Sequence, residues 1–335
     1  MAGSSYRVGR PRGFPLANAT AAEVIEVMRS GGSRILVLLA ARNGTRWLEE
    51  QLESILNQSD VDVHIVVSDD CSTDGTPALI ERFFATGRVN LLSASAPSGS
   101  AAQNFFQLII QCDALDYDYV AFSDQDDIWY ADKLGRARAA LGKGGGVGYS
   151  SAVEAVWEDG RTRVLSQKAT PTPADFLFEG AGQGCTFVLT AKFYARVREF
   201  LIRNRELTRA LHYHDWTTYA LARSWELGWI FDPEPSMQYR QHSGNDTGAR
   251  FSFGGVGKRL SLIASGWYGR HVRAIARICM EASPTMPVVN AWCAIARAPS
   301  SVVRSCRMAW FCVRGGRRRL LDRVILVAAA LAGKI

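Results

Sequence analysis

The apolar positions of this 335-residue chain fall first into short unbroken runs and later into helical stripes. Arg34–Ala40 reads RILVLLA and Val63–Val67 reads VHIVV. Runs of this length with little polar alternation predict strands buried on both faces of a parallel sheet. Between them Trp47, Leu48, Leu52, Ile55 and Leu56 recur at helical spacing, with Glu49, Glu50 and Glu53 off the stripe. Strand, helix and strand within about 30 residues make one right-handed crossover unit. The alternation continues. Pro77 opens a helix through Phe84, a short strand covers Val89–Leu92, a helix Ala101–Cys112, and a strand Tyr117–Ser123. This predicts a doubly wound α/β domain, whose ligands sit at the carboxyl ends of the strands. Residues 1–33 read as a basic lead-in with a short helix near Ala21–Arg29, 34–257 as the α/β domain, and 258–335 as a basic, mainly helical extension. Gly142–Gly146 reads as a surface loop.

A hydrophobic content of 47% and a charged content of 21% allow a substantial core and exclude a disordered or fibrous chain. Charge changes the picture of the tail. From Lys258 onward fourteen Lys and Arg face two acids, Glu281 and Asp322, a surplus of +12 that leaves the earlier residues at −5 within the net +7. The tail lacks the aromatic–glycine signatures of RNA-binding modules, so the expected partner is an anionic membrane surface and not nucleic acid. Arg304, Arg307, Arg314 and Arg318 follow one helical face. Val302, Val303, Cys306, Ala309, Trp310 and Val313 fall largely on the other, and Arg317–Arg319 add a basic cluster. The alternative is that the apolar face packs on the domain. The longest terminal apolar run, Val324–Gly333, is ten residues, against roughly 20 needed to span a bilayer. The seven cysteines are dispersed without a Cys-x-x-Cys pair, and residues 1–33 contain no continuous apolar leader. That argues against structural zinc and predicts a reducing, cytoplasmic compartment.

Polar clusters fall at the predicted strand ends. Asp124-Gln125-Asp126-Asp127 puts three carboxylates within four positions, which repel unless protons or a cation neutralise them. Mg²⁺ or Mn²⁺ held there would stabilise a leaving diphosphate; a solvated acidic turn is the alternative. Asp69-Asp70 suits hydrogen bonding to a base or ribose, or equally a helix cap before Pro77. His214-Asp215-Trp216 offers a carboxylate general base, or a cap with a core tryptophan. Gln238–Asn245, with Arg240 and His242, reads as a polar loop, with phosphate or metal binding as the functional alternative.

Taken in this order, the segments from about Ile35 to Gly248 resemble the inverting family 2 glycosyltransferases of the GT-A fold. Ser123–Trp129, His214–Trp216 and Tyr239–His242 are similar to the bacterial rhamnosyltransferase-like branch that builds lipopolysaccharide and other surface glycans. The resemblance implies donor contacts from Ala41, Arg42, Asn43, Asp70, Asp124, Gln125 and Asp126, and metal binding by Asp126 and Asp127 with His242 as a further candidate. It also implies a donor–acceptor loop with Gly184, Cys185, Thr186, His214 and Trp216, and Asp215 as catalytic base. The implied partners are a nucleotide-sugar donor, dTDP-rhamnose first and a UDP-hexose as the alternative, and a glycan or lipid-linked acceptor. Attachment to the cytosolic face of the inner membrane follows from such an acceptor. Two departures stand out: Ala40-Ala41-Arg42-Asn43 lacks the family's aromatic, leaving Arg42 to stack on the base, and Cys71 stands where glycine is common. A nucleotidyltransferase would need a glycine-rich basic loop after the first strand, and Ala40–Thr45 holds one Gly and one Arg.

Overall fold

The computed structural model describes residues 32–166, 170–242 and 253–335, with backbone alone for 253–256, 258 and 259. The expected helix near Ala21–Arg29 lies outside the described residues. The first half follows the alternation of the sequence: β1 (Ser33–Ala41), α1 (Leu48–Leu56), β2 (Val61–Asp69), α2 (Thr76–Glu81), β3 (Val89–Ser93), α3 (Ala101–Gln111) and β4 (Tyr119–Ser123). β1 pairs in parallel with both β2 and β4, and β2 with β3. Flanked on both edges and covered on both faces, Ile35–Leu39 are at most 1% exposed, which is why that run shows no alternation. Each such buried aliphatic side chain contributes roughly 1.5–3 kcal/mol.

The second half departs from simple winding. It contains β5 (Ile128–Trp129), α4 (Lys133–Gly142), β6 (Gly148–Trp157), β7 (Thr162–Leu165), a helical turn at Asp175–Phe178, β8 (Val188–Thr190), α5 (Ala191–Arg203), a turn at Arg205–Thr208, α6 (His214–Ser224) and β9 (Trp229–Gln241). The sheet runs β3-β2-β1-β4-β8-β6-β9-β5, with β7 paired to β6 off this path. β8 is antiparallel to β4 and β6, β9 is parallel to β6, and β5 is antiparallel to β9. A doubly wound half is thus continued by a mixed half. In β9, Asp232 faces Ser151 and Pro235 faces Ala152, so Pro233 and Glu234 bulge out where a proline has no N–H for the ladder. Gln238–Gln241, read from sequence as loop, form the end of this strand.

The tail is helical: α7 (Phe253–Ala264), α8 (Trp267–Ala282), α9 (Pro287–Ala296), α10 (Ser301–Gly315) and α11 (Leu320–Leu331). Val272, Ile275, Ala276 and Cys279 of α8 belong to the same core as Phe105, Phe122 and Leu189. Of the apolar face expected on α10, Val302, Val303, Cys306, Trp310 and Val313 are exposed, while Ala309 is buried and joins Met308 and Cys312 against the core. The expected surface cluster Arg317–Arg319 is also turned inward, because α10 stops at Gly315 and the chain returns over two acids. Arg318, 2% exposed, meets Asp175 at 2.8 Å, and its N–H donates to Glu179 at 2.6 Å. Arg223 reaches the other Asp175 oxygen at 2.7 Å. Arg317 donates to the Phe178 carbonyl at 2.8 Å and Arg319 to that of Ser166. Among the described residues no helix is long and apolar enough to cross a membrane.

Candidate active site

A cavity of about 630 Å³ opens where β1, β2 and β4 end. Arg42, Asp70, Asp124, Gln125, Asp126 and Asp215 all line it. The loops are tied to one another. The Arg42 N–H donates to Gln125 Oε1 at 2.8 Å, and Gln125 Nε2 donates back to the Arg42 carbonyl at 3.1 Å. The Asn43 N–H donates to Ser72 Oγ at 2.8 Å, and Asn43 Oδ1 accepts from the Thr73 N–H at 2.9 Å. Asn43 therefore fixes one loop to the next, while Ala41 and Arg42 face the cavity. Asp70 is 3% exposed and accepts from Ser98 through both its N–H (2.5 Å) and its hydroxyl (2.9 Å), with the Arg42 guanidinium 3.6 Å away. Cys71, in the glycine-favoured position, keeps the left-handed turn a glycine would make, with φ of 57°.

The acidic turn divides between cavity and core. Asp126 meets the His242 imidazole at 2.8 Å, and Trp47 stacks on that ring at 4.3 Å between centroids. Arg240 donates to the Asp126 carbonyl at 3.3 Å and pairs with Glu50 of α1, so the end of β9 holds the turn in place. Asp127 is fully buried and does not line the cavity. Burial, then the charges of Asp126 and Asp124, push its carboxyl well above the usual range. Below it the buried Lys133 ammonium donates to the Cys185 carbonyl at 2.8 Å and lies 4.1 Å from the Trp129 ring, and burial lowers its pKa to about 7. Ligand atoms of Asp124, Asp127 and Cys185 do lie within 4.8 Å of one another. Burial pushes the Cys185 thiol well up, however, and a protonated thiol is a poor ligand. On the open side, Asp124 and Asp126 both line the cavity, and the His242 imidazole lies 2.8 Å from Asp126, so oxygen donors of the kind Mg²⁺ or Mn²⁺ takes face the space.

Across the cavity stands the first turn of α6. Asp215 is half-buried and lines the cavity, and its Oδ1 accepts the Trp216 N–H at 2.6 Å. His214 stacks on Phe105 at 3.7 Å, and burial lowers its pKa to about 3, so it is a neutral wall and not a proton carrier. Gly184 packs against it. A Cβ there would come within 2.7 Å of His214 Nε2, so no side chain fits. Cys185 and Thr186 are buried behind Gly184 and do not line the cavity. Trp216 lines it and anchors its indole N–H to the Phe176 carbonyl at 2.7 Å.

Sequence reasoning missed several supports. Trp47 falls on the apolar stripe of α1 by spacing, but the helix starts at Leu48 and frees it to pack on His242. Gln51 sits on that stripe, wholly buried, and a polar residue at a core position was the available signal. Its amide is best oriented with the oxygen toward Ser123 Oγ (2.7 Å) and Trp129 Nε1 (3.2 Å) and the nitrogen toward the Asp127 carbonyl, bracing the acidic turn. Ser98 and Lys133 carry no such signal.

A family model described as glycosyl transferase family 2 matches residues 36–212. The dTDP-rhamnosyl transferase RfbG of Shigella flexneri is 40% identical over 247 residues, covering 73% of this chain and 86% of that protein. Among solved structures, S. aureus TarS residues 1–349 in complex with UDP superposes with a TM-score of 0.52 at 15% identity, covering 90% of this chain and 88% of that one. The mannosyltransferase PcManGT from Pyrobaculum calidifontis, in complex with GDP-Man and Mn²⁺, does so with a TM-score of 0.50 at 17% identity, covering 90% and 86%. These two likenesses show the fold.

Proposed function

The chain belongs to glycosyl transferase family 2, and from that premise we propose that it transfers L-rhamnose from dTDP-rhamnose, with inversion, to a glycan or lipid-linked glycan of a bacterial surface polysaccharide. That it is a glycosyltransferase follows from the family. The donor is taken from the relative 40% identical over most of both chains, a dTDP-rhamnosyl transferase by name. The observation that carries the mechanism is that Asp70, Asp126 and Asp215 line one cavity.

Asp70, with Arg42 beside it, takes the base and ribose of the donor. Asp124 and Asp126, with His242 beside Asp126, would hold a divalent cation, which would supply positive charge against the diphosphate. Asp215 accepts the proton of the acceptor hydroxyl. The acceptor oxygen forms its bond to the anomeric carbon as the bond from that carbon to the diphosphate oxygen breaks, and dTDP leaves with the electron pair. Attack opposite the leaving group inverts the anomeric centre. Trp47, Gln51 and Arg240 hold the acidic turn and its histidine, and Gly184 lets its loop pack close against His214 and Asp215.

The reading is tested by incubating the full chain with dTDP-rhamnose or a UDP-hexose, with and without EDTA, and measuring nucleotide release and thermal stabilisation. A bound donor raises the melting temperature by mass action. Stabilisation and EDTA-sensitive turnover by the UDP-sugar alone would replace the rhamnosyl donor. The same full chain is expected to sit on the cytosolic face of an anionic membrane. Trp310 is 61% exposed beside Val302, Val303 and Val313, with the exposed Arg307 and Arg314 on the same helix. Each Arg near an anionic surface adds about 1 kcal/mol. Co-sedimentation with anionic vesicles that is unaffected by Trp310→Ser plus Val313→Asp would remove this placement.

A further inference from the structure

The cavity does not end at Asp215. It continues beneath the C-terminal helices, and its walls change character there. Trp267, the first residue of α8, lies 5.9 Å from the Tyr213 ring and stacks on His271 at 5.4 Å and 10°. The tail also contributes Leu262 and Ile263 of α7, Ile325 and Leu326 of α11, and the Arg317–Asp322 pair, 3.9 Å apart. All of these lie after the stretch that the family model matches. Leu262, Ile263, Trp267 and Ile325 are half-buried and line the cavity, with Ile263 and Trp267 also packed against the core. His271 is 1% exposed, and burial lowers its pKa to about 3. It is a neutral, packed backing for the Trp267 ring.

A nucleoside diphosphate has its place at the polar end, against Arg42, Asp70 and Asp126. Apart from the mutually paired Arg317 and Asp322, the tail's share of the lining is aromatic and aliphatic. The C–H face of a sugar ring packs on an indole or phenol ring, whereas an aliphatic wall gives nothing to sugar hydroxyls and favours hydrocarbon. The same helix α11 carries Leu321 and Val324, 72% and 58% exposed, on its outer face and outside the cavity lining.

We propose that the tail builds an acceptor subsite for an amphiphilic glycoside. Its sugar lies against Trp267 and Tyr213, and its hydrocarbon aglycone lies along Leu262, Ile263 and Ile325. The proposal rests on the glycosyltransferase reading of the site and narrows its acceptor to a lipid-linked one. Residues 253–331 are then part of the enzyme's substrate recognition as well as of its packing.

The test uses the full chain and two neutral probes, dodecyl glucoside kept below its micelle-forming concentration and methyl glucoside. Binding is measured by calorimetry, and dTDP binding is measured on the same samples. The dodecyl probe is expected to bind at least about tenfold more tightly than the methyl one, as burial of a hydrocarbon chain requires. Ile325→Gln and Leu262→Gln each cut that affinity on the order of tenfold, with melting temperature and dTDP binding unchanged. Leu321→Gln, on the outer face, leaves it unchanged. Equal binding of the two probes, or equal weakening by Leu321→Gln and by both lining variants, would overturn the subsite. dTDP binding reports separately on the donor end, so failure of the donor reading is distinguishable from failure of this one.

Discussion

The two ends of the cavity are built on different principles. The donor end is three loops at the ends of β1, β2 and β4, laced by hydrogen bonds such as Arg42 to Gln125 and Asn43 to Ser72. Its chemistry needs particular atoms at particular places, so it takes particular residues at strand ends. The far end is the flank of α7, α8 and α11, attached through a shared apolar core and one buried charge cluster at Asp175, Glu179, Arg223 and Arg318. Its task needs only shape and apolar surface. A site of the donor kind writes motifs into a sequence, whereas an apolar flank has the same pattern as any packed helix.

The largest expected effect lies where the ends meet. Asp215→Asn keeps the fold and the donor site but removes the base, so turnover falls on the order of 10²–10⁴-fold with dTDP affinity unchanged. Rate and affinity lost together would make Asp215 a structural part of the α6 start. The next effect is on the join. Asp175→Ala leaves the buried Arg318 with Glu179 alone and the half-buried Arg223 without its carboxylate, and removing one partner of such a buried cluster costs roughly 3–5 kcal/mol. Urea unfolding should show one transition at lower midpoint. A separate early transition of the tail would instead mean that domain and tail fold as independent bodies.

This difference explains what was legible. β1–β4 were readable because buried parallel strands are unbroken apolar runs, with helices of clear period between them. The mixed half was not. β8 has three residues and β5 two, too short for any period, and β9 carries Pro233 and Pro235, which argue against a strand until the bulge is seen. Asp70 and Asp126 could be singled out from sequence because acids cluster there against the local pattern, whereas Asp215, a lone acid, stood out only through the resemblance of His214–Trp216. The burial of Asp127 could not, since it depends on Lys133 and Cys185, the latter far along the chain. Nor could the inward turn of Arg317–Arg319, which depends on Asp175 and Glu179 some 140 residues earlier.

A smaller effect separates the two ends directly. Asp70→Ala removes the carboxylate that Ser98 and Arg42 hold at the donor end. Loss of one buried hydrogen-bonding partner is worth about 1–3 kcal/mol, so dTDP affinity should fall roughly 10–100-fold. Binding of a dodecyl glucoside at the other end should not change. If both fall together, the cavity responds as one unit and the contrast between its ends fails.

The smallest effect tests the backbone of the donor end. Cys71 holds φ of 57°, a conformation that costs an L-residue roughly 1–2 kcal/mol and glycine almost nothing. Glycine brings its own cost, because its unfolded chain has more freedom to lose, about 0.5–1 kcal/mol. The Cys71 thiol also approaches the Ala94 carbonyl at 3.4 Å, a weak contact that glycine would give up. These terms nearly cancel, so Cys71→Gly should move the unfolding free energy by less than about 1 kcal/mol, toward greater stability. Cys71→Val places a β-branched side chain in the same left-handed turn and should lower stability, by more than about 1 kcal/mol relative to the glycine variant. Because this turn lies between Asp70 and Ser72, the valine variant should also weaken dTDP binding, and the glycine variant should not. Equal stability of the two variants would show that the turn does not hold the left-handed geometry, and the ordering of the donor loops by Asn43 and Ser72 would need another cause.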